Sequence, residues 1–555
     1  MPGMVALTRS RLILFLLPLA VFLVYGQSLS NGFVLWDDDK LITENPIVRS
    51  LSPHTVRAAF TSYDPELYVP FTIVSYQVEH ALFGFQPAVF HGTSLILHII
   101  AAFLVYAFLR KVGVKAALPC ALLFAVHPLN VEAVAWASAR KDVLSAVFAL
   151  ASLLSYLRYR QGGGRPAFWS AFLCLLLSLL AKPAAIVLPF AYLLLDWKEG
   201  GGRGRDAWRE KIPFFLLSAV FLLIGLAGKE ANVQALPPVH TALLAAKSAV
   251  LSPSLFLFPR FSLLFLQHTP VTPRSPEFFL PLLLLAALGG LTLRSLRRTR
   301  SLAFGLGFAL LFLLPSFVTF SKAGAVYVTS DRYMYLAQVG FLFLLGLALD
   351  RFLSSRALRA ATIAAVTVTL LAAGWGAWRR SLLWNNSATL LQAALARNPG
   401  SAALPHNLGE LAAGEGDTEG AILRYREALR ADPAYAPSFI GLGRIAQAQG
   451  EADRALRLFR SAIQADPRSV NAYLHLGNLY RDRGDVDGAI AAFRRALEIK
   501  PNFAQARINL ADAYGKKGMY REGLLEYKRV MEINPEFRKE ILQKFPQLEQ
   551  LDMGE

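Results

Sequence analysis

Up to about residue 378 the chain alternates long apolar runs with short polar loops; beyond it, apolar and polar residues interleave at helical spacing. Crossing the hydrocarbon core of a bilayer takes about 20 apolar residues in a helix, or somewhat fewer with snorkelling flanks. Runs of that kind lie near 12–29, 89–109, 116–135, 142–158, 166–181, 184–197, 213–228, 276–293, 301–319, 333–350 and 357–377, so about eleven spans are predicted. The stretch 242–266 is apolar but broken by Pro253 and Pro259. It is predicted as a re-entrant or interfacial helix, and the span count stays open at this point.

The loops sort by charge in alternation. LTRSR, RKVGVK, RYRQGGGR, KEGGGRGRDAWREK, RSLRRTR and RFLSSRALR each carry several Lys or Arg, which marks cytoplasmic loops. WDDDKLITENP, HPLNVEAVAWASARKD, AKP, KEANVQALPPVH and SKAGAVYVTSDRY mix signs and hold His, Asp, Glu and Asn. These belong outside. The N-terminus is then inside, and an odd number of spans places everything after Trp378 outside. MPGMVALTRSR leads into the first run with no small-residue cleavage site before the Asp cluster, so that run is predicted to stay as a signal-anchor.

The last third repeats. Pro399, Pro433, Pro467, Pro501 and Pro535 each follow the one before by 34 residues. In the same frame come Leu408, Leu442, Leu476 and Leu510, then Gly416, Gly450, Gly484 and Gly518. Ala421, Ala455 and Ala489 recur with Tyr425, Phe459 and Phe493 four residues after each. This period and order is the signature of tetratricopeptide repeats, two antiparallel helices each, with small residues where the helices cross. Such arrays form a concave groove that suits an extended peptide or protein partner, as a scaffold or to present a polypeptide substrate. The fold class predicted is all-α: a polytopic membrane helix bundle over 1–378, a linker and partial repeat over 379–400, a soluble α-solenoid of about four repeats over 401–540, and a tail over 541–555.

Composition agrees with this division. The 555 residues are 54% hydrophobic and 17% charged, more apolar than a soluble protein of that length. A net charge of +18 suits nucleic acid or anionic lipid. No nucleic-acid module is present, and membrane topology accounts for the loop charges. Cys120 and Cys174 both sit in apolar runs without metal-ligand spacing, so neither a disulfide nor a metal is expected of them.

Candidate chemistry collects in the outer loops. FVLWDDDKLITENP places Asp37, Asp38 and Asp39 beside Phe33, Val34, Leu35 and Trp36, which should hold the cluster near the interface. The other outer loops supply His91, His127, Glu132, Arg140, Lys141, Asp142, Lys182, Asp331, Arg332, Tyr333 and Tyr335. Polar groups at membrane depth are candidates for function. Carboxylates beside several cations suit a lipid-linked phosphate donor: cations stabilise the phosphate as it leaves, and a carboxylate takes a proton from the acceptor hydroxyl. Asp37 and Asp38 are the expected bases, and an adjacent pair also suits a divalent cation such as Mg or Mn. Arg140, Lys141, Lys182 and Arg332 are the candidate phosphate binders; His91, His127, Glu132, Asp331 and Tyr335 are further candidates. Two other classes are open. A membrane-anchored scaffold for envelope assembly needs a single span. A lipid-linked sugar transporter predicts polar residues at the midplane and repeated halves, whereas the polar groups here gather at the outer ends.

In order along the chain stand F-x-x-W-D-D, P-F-T-x-x-S, G-x-x-P-x-x-F-H, L-F-A-V-H-P-x-x-V-E-A-V-A with R-K-D-x-L, L-A-K-P and D-R-Y-x-Y-L, followed by the repeats. This resembles the transmembrane and tetratricopeptide-repeat proteins and their bacterial relatives within the GT-C class of glycosyltransferases, across nearly the whole chain. The resemblance implies a sugar on a polyprenyl phosphate as donor, inversion at the anomeric carbon, and an acidic catalyst in the first outer loop, matching Asp37 and Asp38 and leaving Asp39 outside the pair. It implies an activity similar to protein O-mannosyltransferases. Short loops and Arg- and Gly-rich linkers look bacterial, which would place the repeats in a periplasm. One departure is Val69, where the family pattern often has an arginine before the proline of P-F-T.

Overall fold

The computed structural model describes residues 2–63, 67–200, 208–228, 236–259, 265–266, 271–318, 320–322, 325–533, 537–546 and 548. It divides into two compact units, Met1–Leu390 and Leu391–Glu555.

The first unit is built from α1 (Pro2–Tyr25), α2 (Pro53–Thr61), α3 (Pro70–Phe83), α4 (Pro87–Lys111), α5 (Ala117–Val126), α6 (Val131–Ala135), α7 (Arg140–Arg158), α8 (Gly164–Ala181), α9 (Leu188–Glu199), α10 (Ile212–Ala227), α11 (Pro238–Leu257), α12 (Pro276–Ser295), α13 (Ser301–Leu313), α14 (Met334–Ser354) and α15 (Arg356–Ser381). Among the described residues, seven helical stretches are long and apolar enough to cross a membrane, or eight if α5 and the helix after it, bent by 49°, count as one. Each apolar run predicted as a span coincides with a helix or helix pair of this series. One of the seven stretches, Ala137–Ala181, is two helices. Gly162 and Gly164 break it with φ of 92° and 63°, which favours glycine. Ser145 then bonds Ser178, Ser152 bonds Ala171 O, and Ser155 bonds Ser170, at 3.0, 2.5 and 3.1 Å. Those pairs run antiparallel, so α7 and α8 form a hairpin.

The helix ends gather at two faces. At one, Lys115 and Ala116 donate their backbone N–H to Asp350 at 2.8 and 2.6 Å, and buried Asp196 pairs with Lys211 at 2.6 Å and Arg160 at 3.1 Å. At the other, the Tyr25 hydroxyl bonds His127 O at 3.3 Å, and the Thr72 hydroxyl bonds Ala181 O at 3.0 Å. This second face carries the loops rich in His, Asp and Glu. In between, α13 and α14 cross on glycines: a Cβ on Gly305 would lie 2.5 Å from Leu344 and 2.9 Å from Gly340 O. Close backbone approach on small residues is how membrane helices gain contact without a hydrophobic drive.

The stretch 242–266 falls partly in α11, which continues through Pro253 and ends at Leu257. By length and composition α11 is able to span, but its neighbours hold it along the second face. Lys247, midway, pairs with Glu277 in the first turn of α12 at 2.5 Å. Leu243 and Leu244 pack on Phe278 of that same turn, and Phe256 O bonds His127 Nε2 at 3.2 Å. The middle and the C-terminal end of α11 are thus both tied to groups of the second face; residues 260–264 of the predicted stretch lie outside the described residues. Beside α11 lies a small antiparallel sheet of β1 (Phe265–Leu266), β2 (Ser321–Lys322) and β3 (Ala325–Thr329), in the order β1-β3-β2.

The second unit is the repeat array. α16 (Ser387–Leu395) leads the chain into four helix pairs, Ala403–Gly414 with Thr418–Ala431, Ala436–Ala448 with Ala452–Ala465, Val470–Asp482 with Val486–Ile499, and Ala504–Lys516 with Tyr520–Ile533, then a short helix Arg538–Lys544. Gly416, Gly450, Gly484 and Gly518 make the turns with φ between 78° and 84°. The helices of a pair touch where a Cβ has no room: one on Gly443 would sit 2.5 Å from Phe459, and one on Gly477 2.5 Å from Phe493.

Candidate active site at the polar face of the bundle

The loop after α1 turns back on itself at Val34–Asp38. Asp38 is fully buried, and each carboxylate oxygen accepts a backbone N–H at 2.9 Å, one from Val34 and one from Ser138. Burial pushes the Asp38 carboxyl up to about 6, against the pull of those amides and of the Lys141 charge. A carboxylate that closes two backbone donors in a dry pocket is a fastener. Asp37, its neighbour, is half-buried and within charge range of Lys141 and Arg332, with no hydrogen bond to its carboxylate among the described residues. The two aspartates expected to act as a pair are thus divided: one is spent on the loop and one faces the cations.

Three of the four expected phosphate binders converge there. Lys141 donates to Ser138 O at 2.7 Å and lies 5.3 Å from the centre of the Trp136 ring. Arg332 lies 5.0 Å from that ring, 5.3 Å from the Tyr333 ring, and bonds Glu132 at 2.7 Å. Lys182 pairs with Asp142 and lies 5.8 Å from the Tyr333 ring. Lys141 is within charge range of both other cations. Glu132 is the holder of this group: it accepts the Ser330 hydroxyl at 2.6 Å and the Arg332 backbone N–H at 3.1 Å as well as the guanidinium.

Arg140 is not among them. Its side chain is fully buried, bonded to Glu79 at 2.7 Å, Ser75 at 3.1 Å and Phe90 O at 2.9 Å, and stacked 4.5 Å over Tyr76. It ties α3, α4 and α7 together. The further candidates also serve as ties. His91 Nε2 reaches Gly32 O at 3.4 Å, and His127 accepts the Leu129 N–H at 3.2 Å while bonding Phe256 O. Asp331 pairs with Arg380, and the Tyr335 hydroxyl meets His98 at 2.6 Å. Among the described residues no three His, Cys, Asp or Glu side chains meet as a metal site requires. Each Asp38 oxygen already accepts one backbone N–H.

Sequence reasoning passed over Trp136, the ring on which two cations rest, and Glu79 and Arg380, the partners of buried charges. Glu79 had a signal: a lone acid in an apolar run, costly unless paired.

Comparison with known proteins sets this geometry in context. Models described as tetratricopeptide repeat match residues 440–504 and 480–542. A Drosophila melanogaster protein O-mannosyl-transferase, Tmtc2, is 32% identical over 246 residues, 40% of this chain and 26% of that one. A Caenorhabditis elegans protein O-mannosyl-transferase is 22% identical over 464 residues, 77% of this chain and 63% of that one. The chain therefore spans less than two thirds of the length of either relative. Among solved structures, MamA is 26% identical with a TM-score of 0.24, over 27% of this chain and 87% of that one. The chain carries tetratricopeptide repeats and is homologous, at modest identity, to the Tmtc protein O-mannosyl-transferases.

Proposed function

We propose that this protein is a membrane glycosyltransferase of GT-C type that moves a sugar, mannose by analogy with the relatives, from a polyprenyl phosphate to Ser or Thr of a protein. The observation that carries the reading is the division of labour in the first loop: Asp38 is taken up by two backbone amides, while the Asp37 carboxylate lies within charge range of Lys141 and Arg332 without a hydrogen bond among the described residues. Asp37 takes the proton from the acceptor hydroxyl. The oxygen attacks the anomeric carbon from the side opposite the phosphate, so the configuration inverts. The bond from that carbon to the phosphate oxygen breaks, and its electron pair leaves with polyprenyl phosphate, whose charge Lys141, Lys182 and Arg332 balance. The proton on Asp37 then passes to water. Arg332 suits this role because, among the described residues, its guanidinium bonds Glu132 through one nitrogen, leaving donors to spare. The loop charges favour a cytoplasmic N-terminus, which puts this face and the repeats outside, in the periplasm of a bacterium. The repeat groove engages the acceptor protein.

The test is transfer by the purified full chain in lipid nanodiscs, given mannosyl-phosphoryl-polyprenol and a Ser/Thr-rich peptide, with the product read by mass spectrometry. A hexose on the peptide, lost with Asp37→Asn, is the expected result. A wild-type chain that binds the peptide and never glycosylates it, or an active Asp37→Asn chain, sinks the reading.

A further inference from the structure

The segment that joins the last bundle helix to the repeats is usually a tether. Here it is woven into the catalytic face. Just past α15, the Asn385 carbonyl accepts the Gly32 N–H at 3.0 Å, and the Ser387 hydroxyl accepts the Leu35 N–H at 2.9 Å. Both bonds grip the strand of chain that runs into Asp37. Between them in sequence, Trp384 stacks on Trp136, ring centres 5.6 Å apart and planes 21° from parallel. Trp384 is 3% exposed and Trp136 1% exposed. Trp136 is the ring against which Lys141 and Arg332 rest, and its indole N–H is buried without a partner. One turn earlier, Arg380 bonds Pro128 O at 3.1 Å and pairs with Asp331, the residue before Arg332. Gln27, just past α1, reaches back to Trp378 O at 2.8 Å.

We infer that Leu382–Ser387 is a working part of the site: Trp384 is a positioning residue that sets Trp136, and through it Lys141 and Arg332, while Asn385 and Ser387 set the register of the loop bearing Asp37. The catalytic role of that loop rests on the function proposed above; the clamp itself does not. A transferred group tolerates little misplacement, since errors near 1 Å cost about 100-fold in rate. Three separate ties from one short segment to the base loop and the cation platform, with the Arg380 bonds one turn before it, are a means of holding such a tolerance. The same run of chain leads directly into the acceptor-binding repeats, so whatever orders the segment also orders the site.

Two readouts on the full chain in nanodiscs test this. In Trp384→Ala, kcat for a short acceptor peptide should fall at least ~10-fold with KM changed less than ~2-fold, and Trp384→Phe should return kcat to within ~3-fold of wild type. In Ser387→Ala, amide exchange over Gly32–Asp38 should quicken by ~10-fold or more while exchange in α7 and α8 stays as it was. A Trp384→Ala chain with wild-type kcat, or a Trp384→Phe chain no better than Ala, overturns the positioning role. Unchanged exchange over Gly32–Asp38 in Ser387→Ala overturns the clamp. If Trp384→Ala does not fold, Trp384→Phe and the exchange measurement decide. If the wild type transfers no sugar, the proposed function falls, and the exchange experiment still answers for the clamp.

Discussion

Arg140 in the bundle and Lys517 in the repeats are both cations bound to one carboxylate, yet they live under different rules. The Arg140 side chain is wholly buried and its Glu79 partner 10% exposed; the Lys517 and Asp487 side chains are 44% and 77% exposed. The repeat pair has a twin one period earlier, Arg483 with Asp453 at 2.9 Å. The bundle pair has none. In the solenoid, stability is spread over copies, each contributing little. At the polar face of the bundle, Arg140, Arg332 and Arg380 each bind a carboxylate from a distant part of the chain, and losing such a partner leaves an uncompensated charge away from water.

Four substitutions set these rules against each other. The largest expected effect is chemical: Asp37→Asn should lower transfer by about 1,000-fold while shifting thermal unfolding in detergent little, because its carboxylate accepts no hydrogen bond among the described residues. Next, Arg140→Met should cost about 3–5 kcal/mol by stranding Glu79, and adding Glu79→Leu should restore most of it; melting of the two variants checks the pair. Third, Asp38→Asn should cost about 1–3 kcal/mol, since its amide NH2 confronts one of the two backbone N–H groups that the carboxylate accepted. It should also change the pH dependence. In the fold the Asp38 carboxyl keeps its proton up to about 6, against about 3.9 when unfolded. Its contribution is therefore complete below pH 4 and is lost as pH rises to 6, on the order of 3 kcal/mol, then flat. Melting between pH 4 and 7 should show that slope in the wild type and not in the Asn variant. Smallest, Lys517→Ala should shift repeat stability by no more than ~0.5 kcal/mol. A large effect there, or a small one at Arg140, would erase the contrast.

The same contrast decides what could be read from residues alone. The solenoid repeats, so its prolines, turn glycines and the Gly–Phe crossings at Gly443 and Gly477 announce themselves by period. The bundle helices show through the length of their apolar runs. The site was legible as a set of residues and not as an arrangement. Asp37 and Asp38 are adjacent and identical, and only the amides of Val34 and of Ser138, the latter 100 residues away, tell them apart. Arg140 and Lys141 begin one helix, where successive side chains point about 100° apart. One therefore meets Glu79 and the other Trp136. Pairings between distant segments leave no period in the chain, so Trp136 and the Trp384 stack had no local signal.

The long reach of the first loop also bears on how the protein is made. Residues 33–38 leave the ribosome early. The amide that closes Asp38 arrives 100 residues later, and the hydroxyl that holds Leu35 arrives 352 residues after Leu35 itself. The reactive loop is synthesised first and finished last, when the final bundle helix has been inserted and the chain has turned toward the repeats. A nascent or truncated bundle thus carries an unset site. Biogenesis itself then leaves this loop unfastened until the part of the chain that leads into the repeats is being built.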